Sequence, residues 1–273
     1  MKLRIRPSRL SGRAIAPPSK SIAHRYLIAA ALAEGESRIE GVSSSEDISA
    51  TVDCLRALGA EITLKGDTAT VIGFDPRTTA PEGPLVCRES GSTLRFLLPL
   101  CWLSGNPATL TAHGRLPERP LTVYREIADR EGLLLEREGN VLTASGRLSG
   151  GEYTVRGDIS SQFITGLLLA LPFTGRESVI HLLPPVESRS YLDLSLEALS
   201  RFGLAAGYTD EVTLTVPATD RLTPCRCRVE GDYSNAAFLE ALALLGHGVT
   251  VSGLSAESRQ RSEGTRLNSS HAT

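Results

Sequence analysis

Lysine is nearly absent from this chain. It occurs only at Lys2, Lys20 and Lys65, although arginine is plentiful. A lysine inside the turn Pro17-Pro18-Ser19-Lys20-Ser21 therefore stands out. An ammonium is a compact mobile charge, whereas a guanidinium is a flat fork. Compositional chance would give the same placement.

Other absences exclude whole classes of function. No apolar run is long enough to span a bilayer; those such as Phe163 to Phe173 fall well short. The start, Met1 to Pro7, is charged and no apolar segment follows it, so no signal peptide is expected. A cytoplasmic protein with no membrane association is the reading. The net charge of −2 offers no basic excess, which argues against a nucleic-acid partner. The cysteines Cys54, Cys87, Cys101, Cys225 and Cys227 include no C-x-x-C pair and are odd in number, as expected of reduced thiols. Cys225-Arg226-Cys227 raises the question of a metal, but two strand residues sharing a face is the favoured reading. No H-E-x-x-H, G-x-S-x-G, G-x-G-x-x-G or G-x-x-x-x-G-K-[ST] pattern occurs, so zinc, serine-elbow, dinucleotide and P-loop chemistry lack their signatures.

What the chain does have is a repeat. Four serine-bearing helix starts recur at roughly 70-residue intervals, the kind of period that sets a fold. They are Ser19-Lys20-Ser21, Glu89 to Thr93, Asp158 to Gln162 and Asp232 to Asn235, and an apolar helical run follows each. Helix N-termini carry unpaired N–H groups and the positive end of the dipole. Stacked on one side of a fold, they make a surface for anions.

The first copy runs from about Leu10 to Phe74. Its opening strand is expected near Arg13 to Ala16, with Ser19 capping the next helix. A strand at Ser37 to Val42, a helix ended by Gly59, and a hairpin around Gly66-Asp67 follow. The second copy predicts a helix over Ser92 to Leu103 and a hairpin at Gly139-Asn140. The third predicts helices over Ser161 to Leu171 and Tyr191 to Phe202, with a hairpin at Thr209-Asp210. Each unit is β-α-β-α-β-β, and three can surround a shared helical core with sheets outside. A fourth begins at Arg226 and stops after a strand at Val249 to Val251. Its helix, Ser234 to Leu245, is expected to be sticky or locally mobile.

Several segments carry chemistry. In Pro17 to Arg25, Lys20, Ser21 and Arg25 would converge with helix N–H groups on one anion. A capped helix with solvated cations is the alternative. Glu89 to Arg95 places Gly91 at a helix entry, where a ligand could approach the backbone. Gly114 to Pro120 brings Arg115 and Arg119 into a stiff loop. Taken singly, the first is an ordinary cap and the second a solvated turn. Ser160-Ser161-Gln162 and Ser188 to Tyr191 offer hydroxyls and an amide that could orient a polyhydroxylated ligand. Matching repeat positions make the set more telling than any member.

Together these blocks, with Val229 to Ala236, resemble the enolpyruvyl transferase family. They run in family order from about Leu3 to Gln260. The resemblance implies an α/β fold of repeated βαβαββ units, packed as an inside-out α/β barrel lobe. It implies one complete lobe, 12–225, plus a fragment of a second, 1–11 and 226–260. It also implies transfer of the enolpyruvyl group from phosphoenolpyruvate to the 5-hydroxyl of shikimate 3-phosphate, with no metal or organic cofactor. Lys20 would meet both substrates. Ser21, Arg25, Ser160, Ser161, Gln162, Ser188 and Tyr191 would hold shikimate 3-phosphate; Gly91, Arg115 and Gln162 would contact phosphoenolpyruvate; Arg95 would support.

The sister enzyme acting on UDP-N-acetylglucosamine uses a cysteine near Arg115, and the loop His113 to Pro120 has none. That favours the shikimate branch over this alternative. A non-catalytic anion-binding domain is a further alternative, and RNA-end processing is disfavoured by the charge balance. Glu89 and Ser92 depart from the family's more usual asparagine and threonine. The family's acid–base residues are expected outside this chain, so the chain is expected to bind without turnover, as a C-terminally truncated monomer. Residues 261–273 are expected to be a foreign or disordered tail.

Overall fold

The computed structural model describes residues 11–246 and 248–260. The expected tail at 261–273 and the start of the chain through residue 10 lie outside them. Strand β1 (Ser11–Ile15) leads to helix α1 (Lys20–Ala31), β2 (Glu36–Glu40), α2 (Glu46–Ala57), β3 (Glu61–Lys65) and β4 (Thr68–Ile72). Next come β5 (Leu85–Val86), α3 (Gly91–Leu97), β6 (Ala108–Thr111), α4 (Thr122–Glu131), β7 (Leu134–Glu138) and β8 (Val141–Ser145). Then follow β9 (Glu152–Arg156), α5 (Ser161–Ala170), β10 (Ser178–Leu183), α6 (Arg189–Arg201), β11 (Gly207–Tyr208) and β12 (Thr213–Val216). The described chain closes with β13 (Arg226–Arg228), α7 (Tyr233–Leu244) and β14 (Gly248–Ser252).

The repeat is visible in the pairing. Sheet β5-β6-β8-β7 joins β5 and β6 in parallel, then adds an antiparallel hairpin. Strands β9, β10, β12 and β11 follow the same rule. So do β13, β2, β4 and β3, but here the chain departs from expectation. The strand that completes the first unit is not β1. It is β13, which returns from far along the chain and sets Cys227 against Ile39. Strand β1 instead lies parallel to β14 in a separate two-stranded sheet. The expected boundaries at residues 11/12 and 225/226 thus fall one strand early at each crossing. β13 thus takes the place beside β2 that β5 holds beside β6 and β9 beside β10 in the other units.

Helices fill the interior and the sheets face outward, in agreement with the inside-out arrangement. Strands such as β2 and β9 alternate exposed and buried residues along their length. One face therefore packs on the helices while the other is solvated. Helix α1 is buried from Ile22 through Ala31. Trp102, Tyr124, Tyr153, Phe96, Phe163 and Phe202 anchor the core, with Trp102 and Tyr124 in edge-to-face contact. The Trp102 indole N–H still finds a partner, donating to the Leu134 carbonyl at 3.1 Å.

Two helices end sooner than their apolar runs suggest. α3 stops at Leu97 and continues as a 3-10 turn, Leu98–Trp102, around Pro99. α5 does the same with Leu171–Thr174 around Pro172. Proline has no N–H for the α-helical ladder, so the helix tightens and ends. Among the described residues no helix is long and apolar enough to cross a membrane.

Candidate functional site

The N-terminal halves of α1, α2, α3, α5 and α6 are tied together by side chains from their first two turns. The main tie is Arg25, which is buried. Its Nε donates to Ser195 Oγ at 2.8 Å and its Nη1 to the Ser21 carbonyl at 2.6 Å. Its Nη2 donates to the Tyr191 carbonyl at 3.0 Å and to Thr165 Oγ1 at 3.3 Å. The guanidinium also lies over the Phe96 ring, 5.1 Å from its centroid. One side chain thus braces α1 to α3, α5 and α6. Burial lowers its pKa to about 10, which still leaves it charged at neutral pH. Its hydrogen-bond partners are neutral oxygens, so the positive field has no bonded carboxylate to cancel it. The sequence suggested a direct ligand contact; the structure gives Arg25 four protein acceptors and sets Ser21 and Tyr191 with it.

Ser21 and Tyr191, whose carbonyls Arg25 holds, help line a cavity of about 390 Å³. Lys20, Ser21, Ser190, Tyr191 and Leu194 line it from α1 and α6. Asp232, Tyr233, Ser234, Ala237 and Gln260 line the opposite side. Lys20 reaches Asp47 Oδ2 at 2.8 Å, and both side chains are well exposed. Such a pair is screened and contributes little to stability, so Lys20 is held loosely at the rim. Asp47 was not singled out in the sequence. Its signal was its place in the first turn of α2, beside the Ser45 cap.

A second cluster surrounds Gly91. A Cβ at this position would stand 3.0 Å from Arg119 Nη1, 3.5 Å from Arg95 Nη1 and 3.7 Å from Gln162 Oε1. A side chain here would have to displace the ends of two guanidiniums and an amide, so glycine keeps the helix entry open to them. Arg95 Nη1 donates to Gln162 Oε1 at 2.6 Å, and Gln162 Nε2 donates to Ser92 Oγ at 3.0 Å. These bonds fix the amide and join the start of α5 to α3. Arg95 stacks on Phe163 at 4.9 Å, repeating the Arg25–Phe96 contact one unit later. Burial lowers its pKa, and its Nε is buried without a partner among the described residues. Of the two loop arginines, both exposed, Arg119 is the one whose Nη1 lies beside Gly91. The Glu89 carboxylate packs against the Cα of Gly114, which joins the two loops.

The clusters are connected through a buried polar chain. His24 Nδ1 lies 2.7 Å from Thr51 Oγ1, which lies 2.7 Å from Thr93 Oγ1. Thr93 Oγ1 is 2.7 Å from Ser90 Oγ and 3.4 Å from the Asp47 carbonyl. Burial drives the His24 pKa down to about 3, so this imidazole is neutral at physiological pH.

The helix caps divide. Ser45, Ser90 and Ser160 each accept a hydrogen bond from an N–H of the following turn, and Asp232 does so for α7. Ser19 does not, contrary to expectation. It occupies the cap position of α1, but its hydroxyl is fully buried with no partner among the described residues. Ser188 stands at the start of α6 in the left-handed region, φ 56°, exposed and without a cap bond. Ser161 is buried and Ser160 half-buried at the α5 start. No group of three or more His, Cys, Asp or Glu residues that could hold a metal occurs among the described residues.

Comparison with known proteins identifies what this arrangement resembles. A family model described as EPSP synthase (3-phosphoshikimate 1-carboxyvinyltransferase) matches residues 5–267. The 3-phosphoshikimate 1-carboxyvinyltransferase of Clostridium kluyveri is 40% identical over 258 residues, covering 94% of this chain and 60% of the relative. That of Clostridium novyi is 38% identical over 269 residues, with 94% and 62% covered. The chain thus spans about three-fifths of the length of these relatives. Its fold matches EPSP synthase from Acinetobacter baumannii with a TM-score of 0.78 at 24% identity, over 91% of this chain and 57% of that one.

Proposed function

The chain belongs to the EPSP synthase family, and from that premise we propose that its cavity binds shikimate 3-phosphate for enolpyruvyl transfer from phosphoenolpyruvate. In that reaction the 5-oxygen of shikimate 3-phosphate bonds to the enolpyruvyl carbon, the carbon–oxygen bond to phosphate breaks, and inorganic phosphate leaves. The observation that carries the reading is the cavity at Lys20, Ser21 and Tyr191, backed by a buried guanidinium whose hydrogen-bond partners are all neutral oxygens.

Each residue has a task. Lys20 moves from Asp47 to the substrate anions, which suits an exposed and weakly held ammonium. Ser21 and Tyr191 contact the shikimate ligand, and Arg25 holds both in place while adding positive potential from below. Ser160, Ser161, Gln162 and Ser188 present hydroxyls and an amide at the starts of α5 and α6. Gly91 and Gln162 meet phosphoenolpyruvate, with Arg115 and Arg119 supplying mobile cations from their loop. Clustered donors aimed at a departing phosphate stabilise charge as it develops.

The 273-residue chain by itself binds and does not turn over. Calorimetry with shikimate 3-phosphate checks the first part: a Kd of about 1 mM or weaker is expected, weakened on the order of 10-fold in Lys20→Ala. Equal affinity in the variant would remove Lys20 from the site. A coupled phosphate-release assay with both substrates checks the second part, and turnover by the purified chain would overturn it.

A further inference from the structure

The structure assigns a second, unrelated site: Cys225 and Cys227 form a two-thiolate clamp for a soft monovalent cation, copper(I) in class. The two residues lie at positions i and i+2 around strand β13, and every second residue of a strand shares a face. Both are half-buried, whereas Arg226 and Arg228 between and beyond them are exposed. The thiols therefore point the same way, toward the margin of the core, and remain within reach of solvent. The chain's other cysteines, Cys54, Cys87 and Cys101, are buried in the core.

The backbone holds the pair in place. The Cys225 N–H donates to Ser37 Oγ at 3.2 Å, and the Arg38 N–H donates to the Cys225 carbonyl at 3.0 Å. Cys227 is registered against Ile39 in the parallel pairing with β2. Two strand residues of this spacing stand about 7 Å apart at Cα. That is at the outer limit for a disulfide, which favours about 4.4–6.8 Å. Two metal–sulfur bonds of about 2.3 Å each bridge such a gap without moving the strand.

The charge and the ligand number select the ion. Zinc takes four ligands, and no third His, Cys, Asp or Glu joins the pair among the described residues. Soft thiolates with low coordination suit copper(I). Binding releases both thiol protons to solvent, and Cu⁺ with two thiolates leaves a complex of charge −1. A counter-cation is at hand: the Arg201 guanidinium, held by Glu197 at 2.9 Å, is near enough to favour the Cys227 thiolate. The site also has a structural reach, because β13 runs through Val229 to Asp232 into the cavity wall.

The test is an anaerobic titration of the full chain with copper(I) held by excess bicinchoninate, whose colour reports withdrawal. The wild-type chain is expected to withdraw one equivalent, Cys225→Ser and Cys227→Ser none, and Cys101→Ser one. A wild-type chain that withdraws none, or a Cys225→Ser chain that still withdraws one, overturns the site. A measurement on unaltered protein guards against misfolded variants. N-ethylmaleimide should label Cys225 and Cys227 in the native chain, and copper(I) should protect both, as read by peptide mass. Labelling that copper leaves unchanged overturns the proposal as well.

Discussion

Helices α5 and α7 begin alike, each with a polar cap accepting from an N–H of the first turn, and each continues as a run of Leu, Ala and Phe. They end in opposite surroundings. α5 buries every residue but Gln162, whereas α7 buries only Ala236. Phe238 is 76% exposed and Leu245 77%. Apolar composition all round a helix therefore gives its tendency to be buried, while its neighbours decide whether it is. α5 is enclosed by α3, α6 and two 3-10 turns, and α7 rests mainly on β14. Changes of similar size in the two helices should differ sharply in consequence.

The largest effect is expected at Gly166. A Cβ there would collide with Tyr124 Oη and with the Arg95 carbonyl, because α5 approaches α3 at this point with no room for a side chain. Gly166→Leu should destabilise the chain by about 3 kcal/mol or more, since overpacking a filled core displaces backbone. Urea denaturation reads this directly. A loss below about 1 kcal/mol would mean that the helices part easily and that α5 is no better enclosed than α7.

Arg25→Met comes next. It preserves the length and the contact with Phe96 but leaves Ser195, Thr165 and two carbonyls without their donor. The expected loss is about 3 kcal/mol, as for breaking other buried charge-assisted networks. Affinity for shikimate 3-phosphate should fall with it, because Ser21 and Tyr191 lose their brace. Unchanged stability would show that the brace is replaceable.

The third expectation concerns pH. The folded pKa of His24 is about 3, below its unfolded value near 6.5. The folded state holds the neutral form, so its contribution is present above pH 6.5 and is lost as pH falls toward 3. Between pH 7 and pH 5 the chain should lose about 2 kcal/mol from this one group. His24→Leu should flatten that part of the profile, measured by thermal melts across pH, while adding a loss from the broken Thr51 bond. A variant with the same acid slope as the parent would place the sensitivity elsewhere.

These sites also mark how far the sequence could be read. The four helix starts, the hairpins at Gly66, Gly139 and Thr209, and the helical core were legible because they depend on local patterns: apolar period, caps and turn residues. The exchange of β1 for β13 was not, since it depends on pairing between residues nearly 190 positions apart. Within the site, Lys20, Ser21, Gly91, Gln162 and Tyr191 were legible as residue types at helix entries. The burial of Arg25 among four protein acceptors was not legible, because it depends on what α5 and α6 bring to it. The pairing of Asp47 with Lys20 and the approach of Arg119 to Gly91 were not legible for the same reason: each depends on a neighbour from another element.

The smallest change in stability is expected at Phe238, and it completes the comparison. Phe238→Gln should alter the unfolding free energy by less than about 0.5 kcal/mol, because an exposed side chain loses little apolar burial. Its effect should appear elsewhere. The exposed Phe238, Leu244 and Leu245 are expected to bind hydrophobic dyes and promote association. The variant should reduce dye fluorescence and shift light scattering toward smaller species. The same substitution at Phe163, buried between Arg95 and Tyr124, should cost far more, about 3 kcal/mol. A large stability loss at Phe238 would show that α7 is packed far more tightly than β14 alone allows, and the contrast between the two helices would collapse.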